Sequence, residues 1–214
     1  MSKEDLVEIV KVLKDRDIVI ISDEIYSDYT YNHEHYSLSS FPEIRDRVIV
    51  INGFSKTYAM TGWRLGYAWG NKDLIAAMCR LHQYATICAS TISQYAALEA
   101  MKHDYDNVNK VVDKYRERGN LICKGLNNIG LKCLEPEGAF YVFPSIESTG
   151  MSSVEFCEQL LLQERVALVP GTAFGECGEG YVRACYAMSS MENITEALKR
   201  INRFVEKNGK KYSL

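Results

Sequence analysis

No stretch of this 214-residue chain approaches the ~20 consecutive apolar residues that a bilayer-spanning helix needs, which argues against a membrane protein. No block of lysine and arginine stands out, and the formal net charge is -3 at pH 7. The chain therefore carries no electrostatic footprint for nucleic acid or an anionic membrane surface. Seven cysteines are an odd number, and none forms a CxxC pair. A reduced, cytoplasmic protein with buried thiols is expected, rather than a disulfide scaffold or a zinc site. The opening MSKEDLVEIV is charged and amphipathic, unlike a secretion signal. Repeats, low-complexity segments and Gly/Ser linkers are also missing. What remains has an ordinary balance, 47% hydrophobic and 25% charged, and enough chain for one large domain or two modest ones.

The pattern of apolar residues alternates between helix and strand. Ser2 with Asp5 reads as a capping box, and Leu6, Ile9, Val10 and Leu13 then share one helical face. Ile18 to Ile21 reads as a strand buried on both faces of a parallel sheet, with a second at Val48 to Ile51 and a third at Leu65 to Trp69. Helices are expected around 73–84 and 92–102. Near Asp104 the character changes to a long apolar stripe, Val108 to Ile129, stopped by Gly130. A strand from Ala139 to Phe143, a helix capped by Ser152, strands at 166–169 and 181–185, and a helix with Ile194, Leu198, Ile201 and Phe204 inward follow. The expected division is 1–104, an α/β layer, and 105–214, a long helix with a small α+β domain.

One short turn stands out chemically: Ser55-Lys56-Thr57-Tyr58-Ala59-Met60-Thr61-Gly62-Trp63-Arg64. An amine attacks carbonyls only when partly unprotonated, which desolvation or a nearby cation such as Arg64 achieves. Arg64 and the Ser55 hydroxyl would also suit a phosphate, with Gly53, Gly62 and Gly66 letting the backbone approach a ligand. A loop with two solvated cations fits the spacing equally well. Asp23 stands at the carboxyl end of a strand, where open α/β sheets bind ligands, and alone it reads as a turn residue. Together, Asp23, Tyr26, Ser55, Lys56 and Arg64 gather a carboxylate, a phenol, an amine and an anion clamp at neighbouring strand ends. Arg183, in Tyr181-Val182-Arg183-Ala184-Cys185, shares one strand face with Tyr181 and Cys185, and alone it reads as a structural ion pair or a solvated residue. His33 and His35 lack companion ligands and read as a surface loop, so no metal is expected. The tyrosines of 26–36 either line a pocket or cover the sheet. The glycine-rich PGTAFGECGEG at 170–180 is at most the rim of a site.

Four stretches, ISDEIYSDYTY, GFSKTYAMTGWRLGYAWG, PEGAFYVFP and YVRACYA, carry a resemblance to the class I aminotransferases, fold-type I pyridoxal phosphate (PLP) enzymes related to aspartate aminotransferase. The second stretch matches the family's lysine signature position for position, and the likeness runs from residue 1 to about 207. The resemblance implies the C-terminal part of the fold-type I transferase fold, a mostly parallel sheet with helices plus a small α+β domain. It implies that Lys56 forms a Schiff base with PLP and moves protons, that Asp23 pairs with the pyridine nitrogen and that Tyr26 hydrogen-bonds the phenolic oxygen. Ser55 and Arg64 would hold the phosphate, and Arg183 would grip the α-carboxylate of an amino acid or 2-oxo acid in a bidentate fork. A homodimer is implied, with 86–95 in the contact. A β-elimination lyase of the same fold, or a non-catalytic fragment, are the alternatives. The family's N-terminal portion, with its phosphate-binding helix terminus, stacked ring and Asn-Pro stretch, has no counterpart here, so activity of these residues alone is not implied.

Overall fold

The first residues fold as their pattern dictates. In the computed structural model, which describes residues 1–103 and 105–208, Ser2 caps helix α1 (Lys3–Leu13). Its hydroxyl accepts from the Asp5 amide at 3.1 Å, and the Asp5 carboxylate accepts from the Ser2 amide at 2.8 Å. Arg47 closes the other end of α1, donating to the carbonyls of Lys14 (2.9 Å), Leu13 (3.2 Å) and Arg16.

Strand β1 (Ile20–Asp23) pairs in parallel with β2 (Val48–Gly53), Ile20 opposite Val48 and Asp23 opposite Ile51. Strand β3 (Gly66–Gly70) joins β2 antiparallel, and Tyr67 and Trp69 are exposed, which corrects the expectation of a third strand buried on both faces of a parallel sheet. Val10, Ile20, Ile44, Val48 and Val50 form the core on the α1 side, with Leu13, Leu38 and Phe41 against it. The expected strand buried on both faces is corrected in two ways. It starts at Ile20 rather than Ile18, and Ile18, Val19 and Ile21 are exposed, because among the described residues the α1 core takes only Ile20 of this run. Gly53 and Gly66 face each other across the β2–β3 pairing. A Cβ on Gly53 would come within 3.1 Å of the Gly66 Cα, so the close strand contact favours glycine there, whereas Gly62 faces open space.

Helices α2 (Lys72–Ala85) and α3 (Thr91–His103) follow, then α4 (Tyr105–Ile129), which ends at Gly130 with φ +89°. Packing divides the chain into Met1–Val112 and Asp113–Leu214, a boundary that falls within α4. Asp104 lies outside the described residues.

The second unit contains β4 (Tyr141–Val142), α5 (Ser153–Glu164), β5 (Val169–Pro170), β6 (Val182–Cys185) and α6 (Met191–Asn208). The strands form an antiparallel sheet in the order β4-β6-β5. β4 is shorter than the expected 139–143 because Ala139 sits at φ +56°, outside strand geometry. Ile194, Ile201 and Phe204 of α6 point inward as expected, and Phe204 meets Phe156 edge-on at 5.3 Å. The expectation of buried thiols holds for Cys123, Cys133 and Cys157 only; Cys79, Cys88, Cys177 and Cys185 stand at exposed positions. Among the described residues no helix is long and apolar enough to cross a membrane.

Candidate active site

The parallel pairing of β1 and β2 explains how residues thirty positions apart come together. Asp23 ends β1 in register with Ile51, and the chain leaves β2 at Gly53 directly into the lysine turn. Lys56 is half-buried in that turn, its Nζ 5.9 Å from the centre of the Tyr26 ring. The turn is tightened by backbone bonds from Tyr58 and Met60 to the Phe54 carbonyl and from Ala59 to that of Lys56. Asp23 is exposed; one oxygen accepts from the Ile25 amide at 3.1 Å, and no cation among the described residues pairs with it. Ser55 is half-buried. Arg64 is exposed and takes a left-handed φ of 52° that turns the chain into β3, its guanidinium donating to the Thr61 carbonyl at 2.8 Å. It borders a cleft of about 670 Å³ with Trp63, Thr86, Ser90 and Ser93.

Arg183 belongs to the second unit, and its surroundings remove the ion-pair reading. Its guanidinium lies between two rings, 4.6 Å from the centre of Tyr141 and 4.5 Å from that of Phe174. Its buried Nε has no hydrogen-bond partner, and no carboxylate pairs with the group among the described residues. A buried donor left in this state suits an anion, since an unmet polar group costs ~1–3 kcal/mol. Phe174 comes from the glycine-rich loop expected to be a rim, and Phe143 and Tyr181, stacked at 5.6 Å, extend the aromatic wall.

Several residues here carry no signal that sequence reasoning used. Glu24, next to Asp23, is buried and accepts from Ser37 (2.7 Å), Ser22 (3.0 Å) and His35 (3.0 Å). Burial pushes its carboxyl up, but those hydrogen bonds outweigh burial and hold it below the ordinary value. Strand alternation, which turns neighbours of Asp23 to the opposite face, was the available clue. His35 is thus the partner of a buried carboxylate rather than merely part of a surface loop. Of the loop tyrosines, Tyr29 and Tyr31 are buried.

A family model described as "Aminotransferase class I and II" matches residues 1–201. The chain is 42% identical to the aspartate aminotransferase of Pyrococcus abyssi, over 95% of this chain and 53% of that protein. It is 41% identical to aromatic-amino-acid aminotransferase 2 of Thermococcus litoralis, over 96% of this chain and 54% of that one. Among solved structures, the aromatic aminotransferase of Pyrococcus horikoshii OT3 superposes with a TM-score of 0.93 at 42% identity, covering 97% of this chain and 56% of that one. The chain spans about half the length of the curated relatives it matches.

Proposed function

The chain belongs to the class I and II aminotransferases, and from that premise we propose that it takes part in PLP-dependent transfer of an amino group between an amino acid and a 2-oxo acid, with Lys56 as the residue that bonds the cofactor. Membership of the family implies the cofactor; the assignment of particular residues to it is our reading. The observation that carries this reading is the lysine turn, with the Lys56 amine over the Tyr26 ring at the carboxyl ends of a parallel strand pair.

The donor set fits PLP. Asp23 offers a carboxylate that pairs with no cation among the described residues, suited to a pyridinium nitrogen, and Tyr26 offers a phenol beside the reactive amine. Ser55 and Arg64 offer donors for a phosphate on the same turn. The bound cofactor supplies an aldehyde for the substrate amine and a ring that withdraws electrons from the substrate's α-carbon. Lys56 holds and returns the proton at that carbon through its Nζ. Arg183, pinned between Tyr141 and Phe174, receives the α-carboxylate that every amino acid and 2-oxo acid shares. A homodimer with 86–95 in the contact fits the exposure of Ile87, Ile92 and Tyr95, and a cytoplasmic setting fits free cysteines.

The test is an absorbance titration with PLP followed by borohydride reduction and peptide mapping. The cofactor is expected on Lys56, and the label is expected to vanish in Lys56→Ala. Label spread over surface lysines instead would overturn the assignment.

A further inference from the structure

Three successive residues of the loop after β1 each bond to the segment that carries Lys56. The Ser27 hydroxyl accepts from Asn52 Nδ2 at 3.1 Å. The Asp28 carboxylate accepts from the Thr57 hydroxyl at 2.7 Å. The Tyr29 hydroxyl donates to the carbonyl of Lys56 itself at 2.5 Å. Tyr29 is 3% exposed and Thr57 8%, so water competes little for either bond.

The loop that makes these bonds also carries Tyr26. It turns sharply there, Ser27 donating its amide to the Glu24 carbonyl and Tyr29 to that of Tyr26, each at 2.9 Å. Tyr26 and Tyr29 are therefore fixed relative to one another by a single turn. One of them faces the Lys56 amine and the other holds the Lys56 backbone. The base of the loop is anchored by Glu24, whose side chain reaches Ser37 and His35 at the loop's far end.

We infer that Asp28 and Tyr29 are positioning residues, which lock the lysine turn to the Tyr26 turn so that the Lys56 amine is presented to an incoming aldehyde in one orientation. The inference rests on the reading of Lys56 as the cofactor lysine. Neither residue touches the reacting atoms; each acts through the backbone or the neighbour of Lys56. The Asp28 carboxylate also borders a cavity of about 200 Å³ shared with Thr57, Tyr58 and Tyr67. Loss of the Thr57 hydroxyl thus leaves the carboxylate beside space that water can occupy, which favours survival of the fold.

The test compares Tyr29→Phe, Thr57→Val and Asp28→Asn with the parent chain by two readouts. Lys56 is labelled with acetic anhydride from pH 6 to 10 in the absence of cofactor, and its rate is read by mass spectrometry against the other lysines. Separately, PLP at sub-saturating concentration is trapped on Lys56 by borohydride. Tyr29→Phe and Thr57→Val are expected to raise acetylation about three- to tenfold and to lower trapping by a similar factor, the worth of one buried hydrogen bond. Asp28→Asn keeps an acceptor for Thr57 and is expected to stay within about twofold of the parent on both readouts. Lys56 profiles that superimpose on the parent, with only the thermal midpoint lowered, would reduce the contacts to ordinary packing and overturn the inference. Should the parent trap no PLP while the acetylation differences persist, positioning of Lys56 stands and the cofactor assignment falls.

Discussion

In the second unit Ile146, Phe156, Leu160, Val182 and Tyr186 show no exposure at all, while in the first unit Leu81, Tyr84, Ile87, Ile92 and Tyr95 are each more than 70% exposed. The contrast does not come from a shortage of apolar residues in either half but from how they are patterned. Helix α6 puts Ile194, Ile201 and Phe204 on one face and buries all three. Helix α3 does the reverse: its buried residues include the small Ser93 and Ala97, and Ile92, Tyr95, Leu98 and Met101 lie exposed. A helix that turns large side chains outward makes a surface suited to further contact, whereas one that buries them finishes its own core. The contrast is one of helix faces rather than of whole units, since Leu134 and Met188 are exposed in the second unit and Ile44, Val48 and Val50 are buried in the first.

The strongest way to break this comparison is to cut into both surfaces. Phe156→Ala removes a ring with no exposure packed edge-on against Phe204, and is expected to cost about 3–5 kcal/mol in urea unfolding. Tyr84→Ser, at a residue 93% exposed, is expected to shift stability by less than about 0.5 kcal/mol. Equal costs would show that Tyr84 is covered in solution.

Arg183 sharpens the contrast from the other side, as an unpartnered buried donor in the second unit. Arg183→Lys is expected to weaken binding of a 2-oxo acid about ten- to a hundredfold by calorimetry on the cofactor-loaded protein, the worth of charged hydrogen bonds that an ammonium cannot reproduce as a fork. The unfolding midpoint should barely move, since the guanidinium holds no carboxylate among the described residues. A large loss of stability would mark Arg183 as structural.

Replacing Leu81 and Ile92 with lysine tests what the outward side chains of α2 and α3 do. Self-association measured by sedimentation is expected to weaken about tenfold if these residues lie in a homodimer contact; an unchanged dimer would place the contact elsewhere.

The smallest effect concerns Glu24. Its folded carboxyl titrates below the ordinary 4.5, so its contribution to stability is complete above that pH and is lost as pH falls through the lower folded value. Glu24→Gln is expected to flatten the acid side of the stability curve below pH ~4.5 and leave its slope at neutral pH unchanged. An identical acid slope in the variant would assign the acid sensitivity to other carboxylates.

Much of this was written locally. Ser2 and Asp5 specify a helix start wherever that segment lies, because both bonds of the box close within four residues. Val48 to Val50 declares a buried strand through its β-branched run, although Ile51 at its end is exposed, and Asp23, Lys56 and Arg64 are conspicuous through residue type at strand ends and turns. Ile18 and Ile21 misled for a physical reason: apolarity records what a residue suits, not what covers it. Asp28 and Tyr29 were invisible because their partners Thr57 and Lys56 lie 27 to 29 positions away, beyond any local pattern, and strand alternation hinted at the burial of Glu24 but not at its distant partners Ser37 and His35. The sequence by itself determined the main helices, the run of β2 and the family, since capping, periodicity and a motif are properties of neighbouring residues, while the bounds of β1, β4 and β5 (Val169–Pro170 rather than 166–169) were settled by what pairs with them. Only the tertiary structure decided that Tyr29 bonds the Lys56 carbonyl, that Glu24 anchors the loop and that Arg183 lies against two rings with no carboxylate partner among the described residues. Those contacts join segments distant in sequence, and they exist only once the β1–β2, β4–β6 and β5–β6 pairings bring those segments together.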